Sequence, residues 1–254
     1  MPPTIKNARE LARMRDAGAV VSLIHQRIAS VVSPGVTTMD LDVIARDTLA
    51  ETGAISSFLG YHGFPGHICA SVNEEIVHGI PGRRVLRDGD IIAVDVGAIL
   101  EGWHGDSAWT YPVGSISPEA RRLLDDTERS LAIAIERART GARLGEVGNA
   151  VEVFATARGY GVIREYGGHG IGRTMHEEPH VPNHGDPNRG MILRTGLTLA
   201  IEPMLTLGTE QTRTLADNWT VVTTDGSWSA HFEHTVAITP DGGEILTKRP
   251  PAPV

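Results

Sequence analysis

Four carboxylates interrupt apolar, strand-like runs of this chain: Asp95, Asp106, Glu202 and Glu233. An ionised carboxylate in such a setting costs several kcal/mol unless it is paired or coordinates a cation. A single one could be a satisfied core acid. Four that converged would repel one another unless cations lay between them. A fifth ligand-type side chain, His169, stands in the stretch Tyr166–His184 (YGGHGIGRTMHEEPHVPNH), which also holds His176, His180 and His184. Gly167, Gly168, Gly170 and Gly172 exclude a stable helix there, each costing about 1 kcal/mol relative to alanine, and they let the backbone approach something closely. Imidazole beside such a backbone suits metal binding or proton transfer. Two divalent ions about 3.5 Å apart, bridged by carboxylates and a water, would neutralise the whole set. One imidazole among four carboxylates suits manganese or iron(II) as well as zinc or cobalt. The plain alternatives are a histidine-rich surface loop and four unrelated exposed acids.

His176-Glu177-Glu178-Pro179-His180 matches the letters of the HExxH zinc motif. That motif needs a helix, so that residues i and i+4 share a face. Pro179 would cost about 3 kcal/mol in a helix interior, Pro182 follows and glycines precede. The other ligands must therefore come from elsewhere in the chain.

The elements that would position these residues can be read from periodicity. Residues 5 to 32 carry apolar side chains at helical spacing, from Ile5 to Ile28, before Ser33-Pro34-Gly35. A second helix runs from Thr38 to Thr52, closed by Gly53. Residues 58 to 70 read as loop and short strand. Ile91–Val96 is a strand, and a hairpin through a turn rich in glycine (Gly97, Gly102, Gly105) would bring Asp95 to Asp106. Ser117-Pro118-Glu119 starts a helix that reaches about Arg139, and another covers roughly Gly145 to Arg158. Gly89–Asp95 and Gly196–Glu202 share a pattern, with glycine six residues and alanine two residues before the acid. Such a faint duplication predicts two related halves that face one another.

The 254 residues can bury a substantial core. Composition is ordinary for a globular protein, with 41% hydrophobic and 21% charged residues. No apolar run approaches the roughly 18 residues of a membrane span, and the opening MPPTIKNARELARMRDAG has no secretory h-region. The single cysteine, Cys69, excludes an intrachain disulfide and fits a reducing compartment. A net charge of −8 argues against a general nucleic-acid binder. The tail, residues 249 to 254, is proline-rich and expected to be poorly ordered.

An ordered series of short segments resembles the type I methionine aminopeptidases over nearly the whole chain: Gly63-Phe64-Pro65, Ser71-Val72-Asn73-Glu74, His78-Gly79-Ile80-Pro81, Gly89-Asp90-Ile91, Asp95-Val96-Gly97, His104-Gly105-Asp106, Gly168-His169-Gly170-Ile171-Gly172, His176-Glu177, Ile201-Glu202-Pro203-Met204 and Glu233-His234-Thr235. The resemblance implies an α/β (α+β) pita-bread fold, with two pseudo-symmetric halves and a central antiparallel sheet flanked by helices. It implies one catalytic domain over residues 1–254, in the bacterial form without a zinc-finger extension. Asp95, Asp106, His169, Glu202 and Glu233 would ligate two divalent metals (Mn, Fe(II), Co or Zn), with Asp106 and Glu233 bridging. Glu202 would accept the proton of the attacking water, His176 would donate to the developing oxyanion, and His78 would contact the substrate amide. Tyr61, Phe64, Cys69, Met175 and Trp219 would line the methionine pocket. Asn73 and Ser229 fall where some members hold a structural monovalent cation. The reaction implied is removal of the initiator methionine from nascent proteins whose second residue is small. It would occur in the cytoplasm, by a monomer, with a transient ribosome contact and neither DNA nor membrane as partner.

The chain departs from the family's pattern at four places. His231 stands where glutamine is usual, Gly66-His67 replaces Lys-Ser, Phe58 is bulky near the pocket mouth, and His180 replaces glutamine or asparagine. None removes a ligand, so they bear on pocket detail. The rivals are a proline-specific peptidase of the same fold, which usually carries a large extra N-terminal domain, and a non-catalytic peptide-binding member, which typically loses metal ligands. There is no G-x-S-x-G and no P-loop.

Overall fold

A computed structural model describes residues 3–248; the tail expectation for residues 249 to 254 lies outside the described residues. The first helix, α1, spans Ala8–Ala29, shorter than the apolar pattern. Asn7 sets its start by accepting from the Arg9 and Glu10 amides, while the Glu10 side chain returns to the Asn7 amide in a capping box. Ile5 instead bridges to Leu197. Helix α2 covers Thr38–Thr52, with Gly53 left-handed at its end. Helix α3 is Pro118–Arg137, capped by Ser117, and α4 is Leu144–Thr156.

Every strand pairing is antiparallel among the described residues. Two larger sheets make the centre. The first joins Ile91–Leu100 to Ile68–Val72, Ile55–Ser56 and Trp103–Pro112. The second orders Gly242–Ile245, His234–Thr239, Thr198–Ile201, Gly168–Gly170 and Glu177–Val181. Helices α1 and α2 cover the first sheet over a core that includes Ile24, Leu41, Ile68 and Val94. Helices α3 and α4 cover the second over Leu123, Val147, Leu199 and Val236.

The duplicated pattern has the same role in both halves. Gly89 (φ 96) and Gly196 (φ 87) are both left-handed, a conformation favoured by glycine. Each donates its amide to the partner side of the strand that follows, Gly89 to Val113 O and Gly196 to Ile238 O, both at 2.9 Å. The halves are joined along a buried seam. The Asp106 amide donates to Thr235 Oγ1, which donates to Asp106 O; the Glu233 amide donates to Ala108 O; and Ser107 Oγ donates to Glu233 O.

Only one of the three hairpin glycines makes the turn. The strands run on to Leu100 and restart at Trp103, with Glu101 (φ 49) and Gly102 (φ 77) between them. Gly97 and Gly105 lie inside the strands. A Cβ on Gly97 would come within 2.7 Å of Ser57 Cβ, and one on Gly105 within 2.8 Å of Gly18 N on α1. These glycines allow close packing rather than a bend.

Candidate metal centre and substrate cavity

Strand register explains why the five ligand-type residues meet. Successive strand side chains alternate faces. Asp95 lies opposite Ala108, and Gly97 lies opposite Asp106. The two aspartates are therefore diagonal neighbours on one face of the hairpin. In the other sheet His169 lies opposite Ala200, two residues before Glu202, and the pairing of His234 with Ile201 brings Glu233 beside Glu202 where the ladder ends. Glycine makes that sheet tight. A Cβ on Gly168 would fall 2.1 Å from Ala200 O, and one on Gly170 2.2 Å from Glu178 O. The close approach predicted for these glycines is thus to neighbouring strands.

Asp106, His169 and Glu233 are buried and offer ligand atoms within 4.8 Å of one another. His169 Nε2 lies 3.8 Å from both Asp106 Oδ2 and Glu202 Oε1. His169 Nδ1 donates to Gly170 O at 2.9 Å, which fixes the tautomer and leaves the Nε2 lone pair able to ligate a cation. Asp95 Oδ1, Asp106 Oδ1 and Glu233 Oε1 are buried without a hydrogen-bond partner. Burial, with Glu202 adding to it, pushes the Asp95 carboxyl up to about 7. Burial and the neighbouring carboxylates hold Asp106 and Glu233 well above the usual range. Burial also opposes ionisation of Glu202, but His231, His169 and His176 overcome it and hold that carboxyl below its ordinary value. Orphaned buried oxygens around one imidazole are what a divalent cation would satisfy.

This arrangement fixes the sign of a pH effect. In the metal-free fold Asp95 keeps a proton that the unfolded chain releases near 3.8, so stability falls as pH rises from that value through about 7. Metal binding displaces the proton and relieves the repulsion. The rise in Tm on adding manganese to chelator-treated protein is therefore expected to be larger at pH 7.5 than at pH 5. An equal rise at both values would contradict it.

Above the ligands lies a cavity of about 160 Å³. Tyr61, Phe64, Cys69, Met175 and Trp219, all expected at the pocket, line it together with His78, His176 and the five ligand-type residues. Phe58 lines it too and is buried against the same apolar cluster. Phe64 and Trp219 meet edge to face at 5.1 Å. His78 adopts φ 60, an uncommon conformation for a side-chain-bearing residue. It is held there because Gly79 packs on the Ile68–Val72 strand, donating to Ser71 Oγ and accepting from the Ala70 amide. His176 stacks on Tyr61, with its Nδ1 2.8 Å from the Tyr61 hydroxyl. Burial, then His169, lowers the His176 imidazole to about 4.

The departures sort themselves by position. His231 is buried, with Nε2 3.6 Å from Glu202 Oε2 and 3.9 Å from Glu233 Oε2. Gly66 and His67 do not line the cavity. Gly66 packs beneath Pro81, and His67 is bound by Asp42 of α2. Glu177–Val181 is a strand, so the HExxH letters form no helical zinc site. Ser229 donates its amide to Asn73 O, but both side chains are engaged: Asn73 with Asp90 and Ile91, and Ser229 with Leu205 O. The Tyr61 hydroxyl contact and the His231 contact with Glu202 arise from residues far apart in sequence, and no local pattern signals them.

A family model described as metallopeptidase family M24 matches residues 12–240. The chain is 53% identical over 243 residues to methionine aminopeptidase 1 of Bacillus subtilis, covering 96% of this chain and 98% of that one. It is 49% identical to methionine aminopeptidase 1 of Mycobacterium tuberculosis, over 95% and 94% of the two chains. A crystal structure of methionine aminopeptidase from Thermotoga maritima superposes with a TM-score of 0.96 at 42% identity, covering 97% of this chain and all of that one. An Xaa-Pro dipeptidase from Bacillus anthracis shares the fold, at a TM-score of 0.77 and 21% identity; the match spans 62% of that longer chain. Among the described residues no helix is long and apolar enough to cross a membrane.

Proposed function

The chain belongs to metallopeptidase family M24, within it to the bacterial type I methionine aminopeptidases, and on that premise we propose how its own residues release an N-terminal methionine. One observation carries the reading: five ligand-type side chains from both halves converge beneath an apolar cavity. Asp95, Asp106, His169, Glu202 and Glu233 would hold two divalent ions, and residues 1–254 act as one catalytic unit because neither half contains the whole set. Ions held there would supply a water of lowered pKa and would polarise the first peptide carbonyl.

The protein's own groups do the rest. Met175 and Cys69 are soft, adaptable contacts for a thioether, and Phe58, Phe64 and Trp219 close the pocket around it. Asp95 faces the free amine. Glu202 takes the proton of the attacking water, and His231 beside it favours the ionised form that can do so. His176 is neutral at working pH. If the Tyr61 hydroxyl donates to its Nδ1, Nε2 carries the hydrogen and is ready to donate to the carbonyl oxygen. His78 contacts the substrate amide on the other side of the scissile bond. The mixed donors suit manganese or iron(II) as well as cobalt or zinc. A structural monovalent cation at Asn73 and Ser229 completes the reading: Ser229 Oγ donates to Leu205 O and keeps its lone pairs, and Asn73 Oδ1 accepts a single hydrogen bond. The substrates are nascent chains in the cytoplasm, met by a monomer in transient contact with the ribosome.

The test compares Met-Ala-Ser, acetyl-Met-Ala-Ser, Met-Lys-Ser and Ala-Pro-Ser with manganese or cobalt supplied. Met-Ala-Ser should be cut efficiently and the acetylated peptide not at all, because acetylation removes the free amine. Met-Lys-Ser should be poor. Norleucine in place of methionine should be weak rather than inert, because an apolar pocket discriminates by only about 1–3 kcal/mol per methylene. Cleavage of the acetylated peptide would rule out an aminopeptidase, and preferential release of alanine from Ala-Pro-Ser would move the chain to the proline-specific branch.

A further inference from the structure

A second cavity, of about 230 Å³, adjoins the first. The two share His78, His176 and Glu202, and beyond these the second is lined by Glu165, Tyr166 and His180. The methionine side chain occupies the apolar lobe, and the scissile bond lies between His78 and His176. The rest of the peptide must then continue into the second lobe. An extended chain advances about 3.3–3.6 Å per residue, so the outer wall of this lobe faces residues past the second.

The charge of that wall is one-sided. Glu202 belongs to the metal centre, so the fixed charge of the outer wall is the Glu165 carboxylate, and no lysine or arginine lines the cavity. Arg164, next to Glu165, is engaged elsewhere, by Glu152 at 2.7 Å and Glu210 at 3.1 Å. The Glu165 carboxylate is fixed in place by Thr212 Oγ1, which donates to its Oε2 from the Thr212–Thr214 strand. Tyr166 packs edge to face on His78 at 5.8 Å, which ties this loop to the centre of the site.

We propose that the second cavity is the subsite for the third residue of the substrate peptide, and that Glu165 makes it favour a basic side chain and disfavour an acidic one. The proposal rests on the aminopeptidase reading above. Glu165 is exposed to solvent, so the preference is modest, roughly two- to fivefold in kcat/KM, and it is screened by salt.

The experiment measures kcat/KM for Met-Ala-Lys, Met-Ala-Gln and Met-Ala-Glu on the manganese-loaded full chain, at low ionic strength and at 1 M salt. Within each variant the rates are referred to Met-Ala-Gln, so any loss of folded or loaded enzyme cancels. The wild type should rank Lys above Gln above Glu, and the spread should shrink at high salt. Glu165→Gln should bring the Lys-to-Glu ratio close to one, and Glu165→Lys should invert it. A ratio near one in the wild type, or a wild-type preference retained in both variants, would overturn the subsite while leaving the aminopeptidase reading standing. Failure to release methionine from any of the three peptides would overturn that reading instead.

Discussion

Asp106→Ala is expected to reduce kcat more than roughly 10³-fold and to leave the fold intact. Asp106 is buried beside His169 and Glu233, with Oδ1 unpartnered. Cations at such a centre contribute several kcal/mol of transition-state stabilisation, and each 1.36 kcal/mol is tenfold in rate. The same substitution removes a carboxyl whose ionisation burial and its neighbours oppose. The metal-free variant should therefore melt no lower than metal-free wild type, while the rise in Tm on adding manganese is largely lost. Calorimetry with and without chelator, beside a single-turnover assay, separates the two effects. Activity within a few-fold of wild type would defeat the two-metal reading. A collapse of the metal-free Tm would show that Asp106 is a structural acid.

His176→Ala should lower kcat by about 10²–10³ and leave KM nearly unchanged, the signature of a donor that acts on the transition state. The Tyr61 contact adds a graded companion. Tyr61→Phe keeps the ring stacked on the imidazole but removes the hydroxyl 2.8 Å from Nδ1. Loss of one such hydrogen bond costs about 0.5–1.5 kcal/mol, or up to roughly tenfold in kcat. In the His176→Ala background the same Tyr61 change should have little further effect, because its partner is already gone. A rise in KM alone for His176→Ala, or additive losses in the double variant, would place these residues in binding rather than in proton donation.

Much of the site could be read in the sequence because Asp95 and Asp106 sit on strands with a strong local pattern, and Glu202 and Glu233 fall directly beside strand ends. Asp95 and Asp106 lie on the two strands of a hairpin whose first strand is a near-continuous apolar run, and the hairpin register puts them on one face. Glycine patterning marked the stretch around His169, although its tight contacts are with Ala200 and Glu178 and not with a ligand. What the sequence concealed depends on distant contacts. The α1 start was misplaced because Ile5 continues the helical period but is bound to Leu197. Gly97 and Gly105 read as turn residues, yet their role is to admit Ser57 and α1. Strands of two or three residues, such as Thr212–Thr214, are too short to show a period. Glu165 gave no signal, because its place on the cavity wall depends on that short strand.

The seam between the halves also constrains when the protein can work. Its hydrogen bonds tie residues 106–108 to residues 233–235, so two ligand sources lie more than a hundred positions apart on the ribosomal product. Contacts of such high sequence separation form late in folding, after the long loop between them has been closed. During synthesis the first half can collapse around α1 and α2 as soon as it emerges, carrying Asp95 and Asp106 with no partners for them. Glu233 follows 127 residues after Asp106, between the Ser229–His231 and His234–Thr239 strands, and the proposed ligand set is complete only once it has emerged. On the proposed ligand set, a growing copy of this enzyme is therefore expected to stay inert toward peptides until residue 233 has left the ribosome.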